Sequence, residues 1–409
     1  QSVTQNYELG GLRNGVLIST RDVTHSYDDW GTLISQTIKT TEGTTGVFSG
    51  AEYTETITAS NVNNDYANWC FSKPGRVQHK RRTSLPTGAE ITRTMSYGWD
   101  TVACRLNQEV VEPDDSQWIV TTDYGYDAAG NVDEVTVTPA PTQNQAVRRS
   151  VIEWTPSGRF PLRLTNAKNQ VSTFGWDEVQ GVRTSTAGVN GIATTMVYDN
   201  FNRPTRISRP GQATRDLSYH FCSAVFVYCA DADIRTYLQT LTRDTSNNII
   251  RTDIAAFDSM DRPRFSYRQL LGGAMRGEIT TYNSRGLVGS VSMPFIQGET
   301  IWYTTINYVA FGRPRTIQRP LSEALPSTTH LTEIRYEGLS TVEIDALNRS
   351  ATRWMNAIGD VVRVQDAGNG TTNYDYDAFS NLLQVRDPAG NATSMTYNSL
   401  GMKITSNDP

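Results

Sequence analysis

One phrase recurs along the sequence and constrains the fold more than any other feature. It consists of an aromatic residue, usually Asp or Asn, two variable residues, and then Gly, Asn or Ser. Clear copies begin at Tyr126, Tyr198, Tyr376 and Tyr397, and looser copies begin at Tyr27, Trp154, Trp176, Phe257, Tyr282, Tyr308 and Trp354. The steps from Trp154 to Trp176, from Trp176 to Tyr198 and from Tyr376 to Tyr397 are nearly equal. A nearly constant period, here of about 22 residues, is typical of a repeat architecture.

The phrase has the chemistry of a reverse turn. An Asp at its second position can accept hydrogen bonds from backbone amides two residues on, and Gly or Asn at its fourth turn position tolerates a positive φ. We predict turn residues at Asp127, Gly130, Asp199, Asp377 and Gly401. A second landmark, led by Asp345, Asp366 and Asp387, recurs at a constant spacing between the aromatic turns. The chain is therefore expected to reverse about every 11 residues, a spacing typical of short strands.

The residues before each turn alternate in character, as residues of β-strands do. Pairs such as Phe174 and Trp176, or Tyr374 and Tyr376, are two residues apart and share one face of a strand. The sequence predicts an all-β fold, a repetitive array of antiparallel hairpins that winds into a spiral or a closed, barrel-like wall. Packing in an ordinary β-sandwich core is the alternative. We expect these repeat aromatics to stack on neighbouring repeats: Tyr126, Trp154, Trp176, Tyr198, Tyr376 and Tyr397.

The period is not uniform along the chain. Residues 1–106 form an irregular β segment with longer strands and degenerate repeats, and residues 107–409 form the repeat array. A cysteine-containing insertion is expected near residues 210–248, and the copies between Leu270 and Ser327 are also more widely spaced. Insertions of this kind usually form loops on one face of a repeat array.

Composition excludes several classes of protein. A net charge of −5 gives no basic surplus for a phosphate backbone, so nucleic acid is not an expected partner. The basic run from His79 to Arg82 is interpreted as a solvated loop face. No stretch approaches the roughly 18 apolar residues of a membrane-spanning helix. Residues 1–4 lack the basic and apolar features of a signal peptide, which indicates a mature, trimmed or excerpted chain.

The sequence contains no recognisable catalytic or cofactor-binding pattern. The four histidines, His25, His79, His220 and His330, are widely separated along the chain, and no pair has metal-ligand spacing. Nucleotide-binding glycine loops, nucleophile elbows and zinc-protease motifs are missing from the sequence. We therefore expect no catalytic residues, no cofactor and no metal, and a protein that is not an enzyme.

The four cysteines form two local groups, Cys70 with Cys104 and Cys222 with Cys229. This grouping favours two disulfides, although four cysteines permit three connectivities and buried free thiols remain the alternative. The short segment between Cys222 and Cys229 is enough chain to close a bridge. Disulfides would indicate an oxidising compartment.

The repeated Tyr-Asp-x-x-Gly-Asn phrase resembles the YD or Rhs repeat family, over about Tyr124 to Pro409. That family includes polymorphic toxins, B and C components of insecticidal toxin complexes, and teneurin-type adhesion proteins. The segment from Trp69 to Val77 is also similar to stretches that lead into the repeats of toxin-complex B components.

The resemblance implies a hollow cocoon of β-strands that encloses a C-terminal toxic region, followed by an autoproteolytic core with a D-P-x-G signature. Asp387-Pro388-Ala389-Gly390 spells that signature but falls on the same register as Asp345 and Asp366, so we interpret it as a turn.

Three functions are compatible with the sequence. The first is part of a secreted Rhs-type shell that encapsulates and delivers a C-terminal toxin or cargo, with that cargo or other toxin-complex subunits as partners. The second is an adhesion module in which exposed aromatics such as Trp30, Trp118 and Trp302 bind cell-surface carbohydrate or protein. The third is a structural filament or stalk. In each case the expected location is secreted or on a bacterial cell surface.

Overall fold

The protein is almost entirely β-structure. A computed structural model describes residues 1–7, 15–222, 231, 233–320 and 329–409. Within these residues the chain forms 34 strands, and its one helical element is a 3-10 turn at Pro141–Gln143. Every strand pairing described is antiparallel, so the predicted all-β, antiparallel hairpin fold is confirmed.

The strands are numbered in chain order. The first eleven are β1 Ser2–Tyr7, β2 Leu17–Tyr27, β3 Leu33–Glu42, β4 Glu52–Ser60, β5 Asn63–Asp65, β6 Cys70–Lys73, β7 Arg76–Thr83, β8 Ile91–Asp100, β9 Arg105–Val111, β10 Val120–Tyr126 and β11 Val132–Pro139. The next sixteen are β12 Arg148–Trp154, β13 Pro161–Thr165, β14 Val171–Asp177, β15 Val182–Ala187, β16 Ala193–Tyr198, β17 Pro204–Ser208, β18 Thr214–Phe221, β19 Ile234–Arg243, β20 Ile249–Asp258, β21 Pro263–Gln269, β22 Met275–Tyr282, β23 Val288–Ser292, β24 Phe295–Ile296, β25 Tyr303–Tyr308, β26 Pro314–Pro320 and β27 Thr329–Glu337. The last seven are β28 Ser340–Ile344, β29 Ser350–Met355, β30 Val361–Gln365, β31 Thr371–Tyr376, β32 Leu382–Arg386, β33 Ala392–Tyr397 and β34 Lys403–Asn407.

The chain divides into two compact units. The first comprises Gln1–Ser150 together with Ile334–Pro409, and the second is Val151–Glu333. In the first unit β1 to β4 pair in order, β4 pairs with β7, and pairing continues in order to β11. Strands β28 to β34 also pair in order, and β5 with β6 forms a separate hairpin. The predicted boundary at residue 106 stays a prediction.

The second unit is a meander that starts at β12 and pairs in order to β23. Strand β24 adds to β22, and β23 continues to β25, β26 and β27. The expected insertion near residues 210–248 contains the long strands β18 and β19, which pair over eight positions. Residues 223–230 and 232 lie outside the described part of the chain.

Most strand residues are half-buried on both faces. Every residue of β10 is half-buried, and β32 is half-buried except for its last residue. Two packed sheets would instead give alternating buried and exposed residues along each strand. The pattern indicates a sheet that packs locally, and it does not favour the alternative of an ordinary sandwich core.

One dense hydrophobic cluster lies in the second unit. Ile234, Tyr237, Ile254 and Ala256 are buried there on β19 and β20, and Phe265 and Tyr267 of β21 pack against them. Long neighbouring strands bring these side chains together because opposite residues in an antiparallel pair lie within contact distance.

The basic run from His79 to Arg82 is not a solvated loop, so that interpretation is wrong. It lies on β7, where His79 and Arg81 are half-buried and both contact the carboxylate of Glu55 on β4. The alternation of a strand places these two side chains on one face, opposite the carboxylate that accepts their hydrogen bonds.

Ile254→Ala should lower the free energy of unfolding by about 2–5 kcal/mol, because it removes a side chain that is 2% exposed from this cluster. Ile250→Ala on the same strand is the control, since Ile250 is 56% exposed and should cost less than about 0.5 kcal/mol. Urea denaturation followed by fluorescence measures both. Equal losses would show that the cluster does not stabilise the fold.

Candidate functional site

The repeat turn recurs throughout the part of the chain that the structure describes. At Asp127 the amide of Gly130 donates to the backbone carbonyl of Asp127, and the amide of Asp127 donates to the carbonyl of Asn131. The carboxylate Oδ1 of Asp127 accepts from the amides of Ala129 and Asn131, both at 2.9 Å. One carboxylate oxygen thus satisfies two amides in the bend.

The same turn is built at every clear copy of the phrase. Asp199 and Asp377 each accept from the amides two and four residues on. The fourth turn residue has a positive φ in each case: Gly130 at 92°, Asn202 at 60°, Ser380 at 63° and Gly401 at 76°. The pairing register shifts beside each turn, as in a three-residue hairpin loop with a bulge. Asp345, Asp366 and Asp387 lead turns of the same kind.

The repeat aromatics connect one hairpin to the one before it through their polar tips. Trp176 Nε1 donates to the carbonyl of Pro161 at 2.7 Å, and the hydroxyls of Tyr376 and Tyr397 donate to carbonyls at 2.9 Å. In these three cases and for Tyr198, the acceptor lies 15 residues earlier, at the start of the preceding return strand. Tyr126 makes the equivalent bond to Leu106.

The six predicted aromatics are all half-buried. Ring stacking is described for Trp176, which lies on Phe160 at a centroid distance of 4.6 Å. Tyr126 instead packs against the guanidinium of Arg105, and Trp154 lies at the end of β12. The wider prediction that all six rings stack between repeats stays a prediction.

An arginine adds a second connection between repeats. Arg203 donates from Nε to the Oδ2 of the turn carboxylate Asp199 at 2.8 Å and lies 4.3 Å from the ring centroid of Tyr219 in the next repeat. Arg262 repeats this arrangement between Asp258 and Tyr282, also at 4.3 Å. Each of these turn carboxylates therefore orients a cation that packs on the following tyrosine.

Three turns of the C-terminal repeats contact N-terminal strands and the loops between them within the first unit, and we call this contact region the seam. The turn at Asn356 uses the amide of Ala357, which donates to Glu42 Oε2 at 3.2 Å. The carbonyl of Tyr376, beside the next turn, accepts from Thr87 at 2.9 Å, and Ser399 in the third donates to Asp115 at 2.8 Å. In each contact the two partners are far apart in sequence, with separations between 284 and 315 positions.

Phe379 occupies the centre of the seam. Its ring lies 4.2 Å from the guanidinium of Arg93 and 5.2 Å from that of Arg81, and His79 meets it edge-on at 5.0 Å. Glu55 accepts hydrogen bonds from both His79 and Arg81. Glu55 therefore neutralises the guanidinium of Arg81, while the ring of Phe379 covers the guanidinium groups of both Arg81 and Arg93.

Glu42 is buried in the same region, at 3% exposure. Its Oε1 accepts from the amide of Phe48 at 2.7 Å, and no ion pair with it is described. Burial raises the pKa of Glu42 above its usual value, and the amides of Phe48 and Ala357 counteract this only in part. A cavity of about 240 Å³ lies beside it, lined by Tyr53, Leu85, Ile358, Asp360 and Val362.

Potential metal-ligating side chains are not grouped in the described residues. No group of three or more His, Cys, Asp or Glu in them could hold a metal ion. His25 contacts Gln36, and His220 stacks on Tyr237. No helix in this part of the chain is long and apolar enough to span a membrane.

Cys70 and Cys104 form a disulfide across 34 residues. It joins the hairpin β5–β6 to the turn between β8 and β9. The expected Cys222–Cys229 bridge involves Cys229, which lies outside the described residues, and no described cysteine is a free thiol.

Comparison with known proteins agrees with this geometry. A family model for the RHS repeat matches residues 356–392, which include strands β30, β31 and β32 and the turns between them. This segment is therefore similar to an Rhs repeat. Comparison with curated proteins found no match.

Solved structures match the Rhs fold over nearly the whole chain. The crystal structure of TcdB2-TccC3 without its hypervariable C-terminal region aligns with a TM-score of 0.71 at 10% identity and covers 99% of this chain. The structure of TcdB2-TccC3 aligns with a TM-score of 0.70 at 10% identity and the same coverage. The chain spans 31% and 29% of those two chains, respectively. The predicted resemblance to toxin-complex B and C components is thus confirmed as a shared fold.

One copy of the repeat is shifted relative to the prediction. The turn expected after Trp354 begins at Asn356, and Met355 occupies the bulge position that Tyr376 has in the next repeat. The turns at Asn356, Asp377 and Asn398 are then evenly spaced. The step from Trp354 to Tyr376 is longer than the step from Tyr376 to Tyr397 because of this offset.

Sequence reasoning did not identify the hydroxyl bonds of the repeat tyrosines or the residues of the seam. The sequence does contain a signal for the hydroxyl bonds, because nearly all copies of the phrase carry Tyr or Trp rather than Phe. Tyr and Trp have a polar tip that Phe lacks. Phe379, Glu42 and Arg93 carry no comparable signal, since their contacts join opposite ends of the sequence.

Tyr376→Phe should lower the free energy of unfolding by about 0.5–1.5 kcal/mol, because it removes the bond to the carbonyl of Val361 and keeps the ring. Tyr27→Phe is the control. Tyr27 precedes a turn in the same way but is 58% exposed, so its change should stay within about 0.5 kcal/mol. Urea denaturation compares them, and equal stability of Tyr376→Phe and the parent protein would contradict this role of the hydroxyl.

Asp258→Asn should reduce stability near neutral pH and flatten the acid limb of the stability curve. Burial alone would raise the pKa of Asp258, but hydrogen bonds from Arg262 and from the amides of Arg262 and Met260 hold it below its usual value of 3.8. A lowered pKa gives stability that is present above the unfolded-state value and is lost as pH falls through the folded-state value. Denaturation midpoints of variant and parent should therefore approach each other as the pH falls below about 4 and converge below the folded-state pKa of Asp258. Asp408→Asn should leave the curve unchanged, and parallel curves for Asp258→Asn would rule out the carboxylate as the cause.

Proposed function

We propose that the chain is a wall segment of a secreted Rhs-type shell that encapsulates and delivers a C-terminal toxin or other cargo polypeptide. The observation that carries the proposal is the agreement of fold with TcdB2-TccC3 over 99% of the chain. The Rhs-repeat fold itself indicates a structural, non-catalytic role.

The contacts of the seam support the proposal that this chain is a wall segment. Evenly spaced turns contact N-terminal strands and loops of the same unit, so a series of hydrogen bonds holds segments together that are distant in sequence. Half-buried residues on both strand faces leave side chains of the sheet available to a polypeptide on either side. A wall needs these properties, whereas an enzyme needs a concentrated polar site.

Location and partners follow from the same proposal. The Cys70–Cys104 disulfide supports an oxidising, extracellular environment, since such bonds persist there. Structures of a TcdB2-TccC3 pair share the fold, which supports other toxin-complex subunits as partners of this chain.

The test uses the full-length polypeptide and limited proteolysis. In the parent protein, sequence C-terminal to residue 409 should be cleaved at least tenfold more slowly than the same sequence expressed alone. Phe379→Ala removes the ring that covers Arg81 and Arg93 and should destabilise the seam by about 2 kcal/mol or more. Protection should therefore decrease in this variant.

Phe201→Ala is the matched control. Phe201 occupies the same third position of an Asp-led turn but is 80% exposed, so protection should not change. Rapid cleavage of the C-terminal sequence in the intact parent protein would overturn encapsulation. Equal protection in both variants would show that the seam does not maintain it.

A second candidate function is extracellular binding of carbohydrate or protein, and one observation favours it. Of the three tryptophans considered for this role, Trp30 is 53% exposed and belongs to a surface cluster of aromatic rings, while Trp118 and Trp302 are half-buried. For a filament or stalk, the third hypothesis, no specific contact among the described residues supports an end-to-end arrangement.

A further inference from the structure

Four aromatic side chains form a cluster on the surface of the first unit. Phe71 lies at its centre, with Trp30 stacked on it at 5.9 Å and Tyr66 and Trp69 edge-on at 5.5 and 5.9 Å. Trp30 and Tyr66 also meet at 5.0 Å. Trp30, Tyr66 and Trp69 are 53%, 60% and 83% exposed, so the cluster presents its rings to solvent and contributes little burial to folding.

The backbone beneath the cluster is held firmly. Asp28 accepts from the amides of Trp30 and Thr32, which fixes the first loop. The hydroxyls of Thr32 and Ser72 lie 2.8 Å apart and connect this loop to the β5–β6 hairpin. Cys70, fully buried between Trp69 and Phe71, anchors the hairpin through its disulfide to Cys104. The rings are therefore pre-organised, which reduces the entropy that a ligand would have to overcome.

The backbone conformation of Trp69 is unfavourable. Its φ is +54°, a left-handed conformation that bulky side chains rarely adopt, and its ring is the most exposed of the three. A strained residue that is also exposed does not stabilise the fold, and such residues concentrate at ligand-binding sites.

The polar groups around the rings indicate the chemistry of the ligand. The two loops, residues 28–32 and 63–73, contain three carboxylates, three asparagines and a single cation, Lys73, whose ammonium lies over the ring of Trp99 at 4.9 Å. This balance disfavours phosphate, sulfate and anionic lipid. Carboxylates and amides at the edge of exposed rings suit a ligand with apolar C–H faces and many hydroxyls.

The exposed area of the cluster favours a small ligand of this kind over a protein partner. At about 150–250 Å² for each aromatic side chain, the three exposed rings present roughly 300–500 Å² to solvent. A stable protein interface buries about 800 Å² on each partner. The cluster matches a few sugar rings and is too small to hold a folded protein by itself.

We propose that Trp30, Tyr66 and Trp69 form a binding platform for a neutral oligosaccharide, whose ring faces stack on the aromatics while Asp29, Asn64 and Asn68 accept or donate hydrogen bonds at its edge. This platform rests on the second candidate function and is independent of encapsulation. Trp69 is the residue on which specificity depends most, because its exposed ring offers the largest stacking face.

The test uses the full chain on an array of neutral and acidic oligosaccharides, followed by calorimetric titration of the best neutral ligand. Trp69→Gly should weaken binding at least tenfold while the melting temperature stays equal or rises, because glycine accommodates the positive φ. Trp30→Ala should weaken binding as well. Phe201→Ala, which removes an exposed ring elsewhere, should bind as the parent protein does.

The outcomes distinguish the platform itself from carbohydrate binding elsewhere on the protein. No binding of the parent protein to any oligosaccharide would overturn both the platform and carbohydrate binding as a function. Binding that Trp69→Gly and Trp30→Ala leave unchanged would overturn the platform alone. Binding restricted to acidic oligosaccharides would contradict the neutral class of ligand. Lost binding with an unchanged melting temperature would support the platform.

Discussion

The rest of the structure depends on one interaction, the side-chain oxygen of a leading Asp or Asn that accepts backbone amides inside the repeat turns. A three-residue hairpin loop leaves amides pointing into the bend, and an unsatisfied amide there would cost about 1–3 kcal/mol. Asp at the first turn position removes that cost, and the left-handed fourth position lets the chain return beside itself. Since each turn fixes the register of its two strands, one residue type repeated at a constant spacing can specify a long sheet.

The same carboxylates extend order from one repeat to the next. At Asp199 and Asp258 the second oxygen holds an arginine, and that arginine lies on the tyrosine of the following repeat. The tyrosine hydroxyl then donates back to the preceding return strand, as in Tyr219 to Pro204 and Tyr282 to Pro263. Neighbouring hairpins are therefore coupled by polar contacts at the sheet edge, which explains how strands that are only half-buried remain in register.

Local periodicity predicted the elements that depend on local chemistry. The turns at Asp127, Asp199 and Asp377 follow from residues within five positions, so the sequence contains all the information needed to place them. Phe379, by contrast, looks like any variable turn residue, and Phe201 has the same turn position yet is 80% exposed. Their difference arises from which strand surface the turn meets, and no local pattern encodes that. The interpretation of the basic run on β7 as a solvated loop was wrong for the same reason, because Glu55, which pairs with Arg81, is on another strand.

The two series of turns differ in their surroundings, and this difference indicates how a periodic array acquires distinct surfaces. Turns led by Asn356, Asp377 and Asn398 alternate along the chain with turns led by Asp345, Asp366 and Asp387, because successive turns lie at opposite ends of the strands. The first series carries Ala357, Phe379 and Ser399 into the seam, whereas the described hydrogen bonds of the second series remain local. At the second and third turn positions the hairpin uses backbone groups, and the side chains there make no hydrogen bond within the turn. These side chains can therefore vary without disturbing the hairpin, and the sheet obtains one edge that contacts the seam and one that faces solvent.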